Sequence, residues 1–333
     1  MSGNHTMRAL VLSEENGPLQ LTEIARPEPR AGEALVRIHA SGVNPLDTKI
    51  RAGRGGHAKN PLPAVLGMDL TGVVESVGPG VDDFQIGDEV YGMTGGVAGI
   101  PGTLAEFAAV DARLLARKPA NLTMREAAAL PLVFITAWEG VVDQAHVQAG
   151  QKVLIHGGAG GVGHVAVQLA RALGAEVFAT VSPQKKEIAE RFGATPIDYK
   201  AMSVEEYVTV YTDGEGFDVV YDTVGGTTLD DTFRAVKTYT GHAVSCLGRG
   251  PYDLSPLSFR AATYSAVFTL LPLLTGKGRA HHGEILREAT KLAEAGKLTP
   301  LLNERRFTME TAMDAHAEVE KGALGKVVVE IVG

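Results

Sequence analysis

The sequence has one cysteine, Cys246, in 333 residues. A single thiol excludes an intrachain disulfide framework and any multi-cysteine metal cluster, and it fits a reducing compartment. No long basic block offsets the formal net charge of -8, which argues against sequence-independent binding to nucleic acid or anionic lipid. The expected partners are small molecules. The opening MSGNHTMRAL has no apolar signal core, and the longest strongly apolar segment, YSAVFTLLPLL, is too short to span a bilayer and contains Pro272. These gaps predict a cytoplasmic chain with no membrane partner. Internal repeats and low-complexity tracts are missing as well.

What is present is glycine (40), proline (16) and a hydrophobic share of 45%, enough for two domains with buried cores. Residues 7 to about 125 carry short alternating or β-branched runs (ALVLSEE, EALVRIHASGV, TGVVESVGPGV, GDEVYGM, LAEFAAV) between glycine, proline and aspartate turns, the pattern of a β-rich domain. From about residue 152 the texture changes to strand, glycine loop and helix in succession: KVLIHGG, HVAVQLARALG, EVFATVS, KKEIAERFG, FDVVYDTVGG, GHAVSCLG. Strands alternating with helices at this spacing predict βαβ units and a parallel sheet. A charged helix, EILREATKLAEAG, and a last strand, KVVVEIV, follow residue 270. Neither makes a core alone, so the tail is expected to return to the N-terminal domain.

The densest glycine stretch, HGGAGGVGHVAVQLARALG at 156–174, joins a buried-strand run (Val153, Leu154, Ile155) to a helix face (Val165, Leu169, Ala172, Leu173) closed by Gly174. Gly158, Gly160 and Gly163 match GxGxxG in the strand-to-helix context that gives the pattern meaning: a tight turn, close backbone approach to a pyrophosphate, and close helix packing. The helix N-terminus then favours the phosphate charge. About 20 residues on, an NAD-preferring site has an acid for the ribose hydroxyls. Here the stretch is ATVSPQKKE, with Ser182 in that place followed by Lys185 and Lys186. A hydroxyl and ammonium groups suit a 2′-phosphate, so NADPH is the expected cofactor; the alternative is that the lysines are a solvated helix face.

These residues closely resemble the quinone oxidoreductase (zeta-crystallin-like) branch of the medium-chain dehydrogenase/reductase superfamily. The likeness runs nearly the whole chain. It is carried by Gly150-Gln151, Leu154, Gly158-Ala159-Gly160-Gly161, Gly163, Gln168 and Arg171, and by SGVNPLDTKIRAG, LGMDLTGVVESVGPGVDDFQIGDEVYG, AAALPLVFITAW and FDVVYDTVGG in the family's order. The resemblance implies an α/β chain with a GroES-like β-rich catalytic domain (1–130, completed by 271–333) and a Rossmann doubly wound parallel-sheet domain (131–270), the active site lying in the cleft between them. It further implies a homodimer through the edge strand of the Rossmann sheet, which AVFTLLPLL would extend unless that segment is buried within one subunit.

The superfamily includes zinc alcohol dehydrogenases, and the ligand positions differ here. Asn44 stands where the zinc enzymes have a catalytic cysteine, Met68-Asp69 where they have His-Glu, and the third ligand region falls near Leu132. The lobe that holds four structural cysteines is shortened to TGGVAGIPGT. Catalytic zinc needs three protein ligands and an open position, which Asn and Met serve poorly, so no metal is expected. The adjacent His281-His282 is read as a solvated loop.

By the same resemblance Asn44, Asp47 and Thr136 lie beside the nicotinamide as the catalytic candidates, with the Asn44 amide able to contact the ribose or a developing oxyanion. The cofactor set implied is Asn44, Thr136, Ala159, Gly160, Gly161, Val162, Gly163, Ser182, Lys185, Tyr199, Leu247 and Gly248. Structural readings remain open beside these: a turn at Asn44-Pro45, a helix N-cap at Asp47, an internally bonded helix residue at Thr136, a surface aromatic at Tyr199. Lys49 replaces a tyrosine that lines the active-site mouth in many relatives, or else points to solvent. Cys246 reads as a packing residue within a strand. The function expected is zinc-independent, NADPH-dependent reduction of quinones or other conjugated carbonyls by hydride transfer. The alternatives are a zinc-type alcohol or aldehyde dehydrogenase and a non-catalytic, crystallin-like NADPH-binding protein.

Overall fold

The computed structural model describes residues 6–331. The chain divides into two compact units: one takes in the described residues through Leu132, Leu270–Gly296 and those from Pro300 onward, the other Val133–Thr269 with Lys297–Thr299. Eight strands come first: β1 (Thr6–Leu12), β2 (Gln20–Ala25), β3 (Glu33–Val43), β4 (Ala64–Val65), β5 (Asp69–Val77), β6 (Glu89–Met93), β7 (Phe107–Asp111) and β8 (Leu115–Arg117). Six follow in the second unit: β9 (Lys152–His156), β10 (Glu176–Val181), β11 (Thr195–Asp198), β12 (Val219–Asp222), β13 (His242–Ser245) and β14 (Thr263–Ala266). The tail adds β15 (Phe307–Thr308) and β16 (Val327–Glu330).

In the first unit the main sheet runs β15-β16-β3-β5-β6-β8, with β7 also paired to β3, and β2-β1-β4 form a smaller sheet. The C-terminal strand thus completes the N-terminal sheet by lying antiparallel on β3. Register matters here. Val327 pairs with Val43 and Gly42 with Asp69, so Lys326 comes opposite Asn44, and alternation along a strand turns residues 42 and 44 to the same face. Gly42 has to be glycine for a steric reason: a Cβ there would stand 2.3 Å from the Ala128 carbonyl oxygen and 3.1 Å from Asp69 Oδ2. Ala128 closes helix α2 (Met124–Ala128), which packs over this strand end, while α1 (Pro45–Arg51) leaves from Asn44.

The second unit is an all-parallel sheet in the order β11-β10-β9-β12-β13-β14. That is the doubly wound order in which the first strand of the unit lies centrally and the chain reverses direction beside it. Its interior strands carry continuous apolar runs because both faces are covered: Val153, Leu154, Ile155, Val220 and Tyr221 are wholly buried. Helix α3 (Pro131–Trp138) continues into a π-helical stretch, Glu139–Gln144. Gly140 in that stretch lies over the Tyr221 ring, where a Cβ would be 2.5 Å from Cζ. After β9 comes α4 (Gly163–Ala172), buried over nearly its whole length. Gln168 of α4 holds the short segment Lys297–Thr299 through paired bonds to Thr299, 3.0 Å to its carbonyl and 2.9 Å from its amide. Helices α5 (Lys186–Phe192), α6 (Val204–Thr212), α7 (Thr227–Ala235) and α8 (Ser255–Phe259) follow in the unit.

One sequence expectation is corrected. His281 and His282 lie inside the helix Arg279–Glu294, not on a loop. The neighbouring Gly283 marks close packing of this helix: a Cβ there would meet the Arg113 carbonyl oxygen at 2.4 Å. Consecutive residues on a helix diverge by about 100°; His282 is buried and His281 is exposed beside Glu284.

Gly42→Ala should cost about 1–3 kcal/mol by overpacking against backbone. Thermal unfolding checks this, and an unchanged midpoint would mean that the β3 end has room to spare.

Candidate functional site

Within the second unit, β9 ends at His156 and the chain turns through Gly157–Val162 into α4. The turn is tight enough to reject side chains. A Cβ on Gly158 would stand 2.4 Å from the Ala179 Cβ, and one on Gly163 only 2.1 Å from the Gly157 carbonyl oxygen. No side chain caps the N-terminus of α4; the His164 and Val165 amides close on the Gly160 and Val162 carbonyls of the turn itself, so an anion there meets the positive end of the helix dipole. The loop opens on a cavity of about 530 Å³ lined by Ala159, Gly160, Gly161, Val162, Ser182, Lys185 and Tyr199, and by residues of α6, α7 and the β12–α7 turn. Two buried polar atoms on its wall, His156 Nε2 and Tyr207 Oη, have no protein partner. Burial keeps the His156 ring neutral by lowering its pKa, while its Nδ1 lies 3.1 Å from Thr180 Oγ1.

Asp222, at the end of β12, shapes the opposite rim. Its Oδ1 accepts the backbone N–H groups of Val224 and Gly225, both at 2.9 Å, and its Oδ2 accepts the Ser245 hydroxyl at 2.8 Å. A glycine cradle, a facing hydroxyl and ammonium, and unsatisfied polar atoms in the wall fit a phosphorylated dinucleotide.

The first unit holds a buried polar array where the zinc ligands of the alcohol dehydrogenases would fall. Asn44 Nδ2 donates to Asp69 Oδ2 at 2.8 Å, and the Lys326 ammonium donates to Asn44 Oδ1 and, at 3.3 Å, to the Val43 carbonyl. Lys326 Nζ is 3.9 Å from Asp69 Oδ2. The other Asp69 oxygen accepts the Leu132 N–H at 2.9 Å. Asp47 sits at the third position of α1 and its Oδ2 accepts the Asn44 backbone N–H at 2.8 Å; Asn44 itself is the N-cap. The Asp47 Oδ1 has no partner. Burial raises the Asp47 carboxyl to about 7 and the Asp69 carboxyl to about 6, and lowers the Lys326 ammonium, with attraction between the ammonium and the acids opposing each shift. This donor set does not fit zinc. An ammonium already occupies the amide oxygen and faces the carboxylate, and a divalent cation there would be repelled.

The expected residues therefore separate. Seven of the cofactor set line one cavity. Gly163 lies behind it at the helix start, and Leu247 and Gly248 follow β13, with Leu247 exposed. Asn44 and Asp47 belong to the buried array, and Asn44 is 1% exposed, which confines any ligand contact to the amide edge turned from Asp69 and Lys326. Thr136 lies within α3, its Oγ1 3.0 Å from Thr269 Oγ1 and its carbonyl accepting the Tyr221 hydroxyl at 2.7 Å. Lys49 is exposed on α1. Cys246 lies just past β13 rather than within it and is half-buried, with burial pushing its thiol up to about 12. Sequence reasoning passed over Lys326, Asp222, His156 and Tyr207. The only signal for Lys326 was a cation opening the apolar run KVVVEIV.

Residues 30–120 match the alcohol dehydrogenase GroES-like domain and residues 192–329 the zinc-binding dehydrogenase family. A solved alcohol dehydrogenase superfamily protein from Novosphingobium aromaticivorans is 56% identical, with a TM-score of 0.97 over 98% of this chain and 100% of that one. The chloroplastic NADPH-dependent alkenal/one oxidoreductase of Arabidopsis thaliana is 34% identical over 97% of this chain and 79% of its own length. The quinone oxidoreductase of Pongo abelii is 29% identical over 98% of both.

A carboxyl whose folded pKa is raised stabilises the fold below its unfolded value of about 3.9 and loses that contribution as pH climbs through the folded value. For Asp47 the loss spans pH 4 to about 7. Wild-type melting temperature should accordingly fall by a few degrees relative to Asp47→Asn between pH 5 and pH 8; parallel profiles would show that Asp47 titrates normally.

Proposed function

The chain belongs to the quinone oxidoreductase branch of the medium-chain dehydrogenase/reductase superfamily, and on that premise we propose that it is a zinc-independent, NADPH-dependent reductase of quinones and other conjugated carbonyls. The carrying observation is the single cavity in which the glycine turn meets Ser182, Lys185 and Tyr199. Gly160, Gly161 and the positive end of the α4 dipole hold the pyrophosphate. Ser182 and Lys185 take the 2′-phosphate by charge-assisted hydrogen bonds, with Tyr199 beside them. When bound, NADPH supplies the hydride.

The choice of acceptor follows from electrostatics. A simple ketone needs a Lewis acid to accept hydride, whereas a conjugated acceptor spreads the arriving charge onto an oxygen that hydrogen-bond donors alone can stabilise. The buried array supplies such a donor in Asn44, one of whose two Nδ2 hydrogens is taken by Asp69. Asp47, with a carboxyl near 7, is a proton source matched to neutral pH. Thr136, in the second unit, we assign to the nicotinamide end of the cofactor. We also infer a cytoplasmic homodimer, supported by the lone Cys246 and by the unpaired edge that β14 presents in its sheet.

The test is oxidation of NADPH, with NADH in parallel, against a small para-quinone and a linear enone in chelator-containing buffer. NADPH-selective turnover is expected; none with either cofactor on either acceptor contradicts the reading. Lys185→Ala should raise the NADPH KM on the order of tenfold or more, the loss of one charged hydrogen bond, with little effect on NADH. Equal effects on both would remove Lys185 from the 2′-phosphate.

A further inference from the structure

The first unit keeps an ammonium, two carboxyl groups and a carboxamide out of water at one strand end, and the proposed reaction as drawn uses only the amide and Asp47. Lys326 and Asp69 are left without a role. Their side chains are 5% and 0% exposed, which is costly to maintain unless the charges compensate one another. Their geometry is specific. Lys326 has donors only and Asp69, when ionised, has acceptors only; they grip opposite ends of the same Asn44 amide. An amide held between a donor and an acceptor has one orientation, with Oδ1 toward the ammonium and Nδ2 toward the carboxylate. The second Nδ2 hydrogen lies toward the Asp47 carboxyl, which an acceptor oxygen would displace. A hydrogen bond from an ammonium to Oδ1 also draws electron density from the amide nitrogen and strengthens its remaining N–H as a donor.

We propose that Lys326, paired with Asp69 across the Asn44 amide, is a fixed protein cation at the position a catalytic metal holds in zinc relatives, and acts as a positioning residue that aims and polarises Asn44 for the acceptor oxygen. This rests on the reductase reading for its catalytic part, while the pairing itself stands on the geometry alone. The match of residues 192–329 to a zinc-binding dehydrogenase family therefore extends to the fold and not to the metal: Lys326 lies within that match and fills the cation's place.

The test is a double-mutant cycle on the full chain with Lys326→Met, Asp69→Asn and the two combined, read in melting temperature, NADPH affinity by fluorescence, and turnover with an enone. Each single variant leaves a buried charge without its partner and should melt well below wild type, while the combined variant regains most of that loss. Turnover in the combined variant should stay down by at least about tenfold, less than the roughly 100- to 1000-fold cost of deleting an oxyanion donor because Asn44 itself remains, with NADPH affinity within about twofold of wild type. Recovery of turnover together with stability would make the pair merely structural and overturn the proposal. Additive losses of stability would show that Lys326 and Asp69 are not coupled, and would overturn it without reference to activity. A wild-type chain that reduces no conjugated acceptor would sink the reductase reading and the catalytic part with it, while the melting data still decide the pairing. One equivalent of zinc retained by wild type through chelator dialysis and lost from Asp69→Asn would also overturn it.

Discussion

Most of the first unit's chemistry depends on one contact, the Asn44 amide held between Lys326 and Asp69. Three strands must be in register to make it: Lys326 leads into β16, Asn44 directly follows β3, and β5 begins with Asp69. A slip of one residue in either pairing would turn one of the groups to the opposite face. The surrounding structure over-determines the register. Gly42 leaves space for the Asp69 carboxylate, α2 closes over the strand end through Ala128, the Leu132 amide takes the second Asp69 oxygen, and Asp47 ties the first turn of α1 back to Asn44. Breaking a buried ionic pair by removing one partner costs about 3–5 kcal/mol, so the same contact that orients the amide also fixes the tail of the chain onto the N-terminal sheet.

The second unit depends on a different constraint, the absence of side chains where backbone meets backbone. Gly158 lets β9 turn beside Ala179 of β10, and Gly163 lets α4 begin against the Gly157 carbonyl. Any Cβ at these points would push the helix start away from the sheet and with it the amides that face a phosphate. Asp222 does the complementary work on the other rim, converting the turn after β12 into a fixed edge through two backbone N–H groups while Ser245 fixes the carboxylate.

Much of this was legible in the sequence. The runs EALVRIHASGV and KVLIH coincide with β3 and β9, because alternating and continuous apolar patterns report burial on one face and on two. The glycine pattern located the turn, and Ser182 and Lys185 fall on the cavity it opens. What was not legible is whatever arises between distant segments. Lys326 is 282 residues from Asn44, and a lysine at the start of an apolar strand reads as a surface residue until the strand's partner is known. Asp222 lies inside a motif whose apolar residues drew attention to the strand and not to the acid that ends it. The alternative reading of Asp47 as an N-cap is off by three positions, since Asn44 is the N-cap and Asp47 reaches back to it, a difference that only the helix start can decide.

On this reading the chain delivers hydride to conjugated acceptors with a protein cation and an amide in place of a metal. The most direct measurement is the fate of deuterium from NADPH labelled at C4 when the chelator-treated chain reduces an α,β-unsaturated ketone. Without a Lewis acid to polarise an isolated carbonyl, the charge has to arrive through the conjugated system, and the expected product is a saturated ketone carrying the label at its β-carbon. Label on the carbinol carbon of an unsaturated alcohol would contradict it.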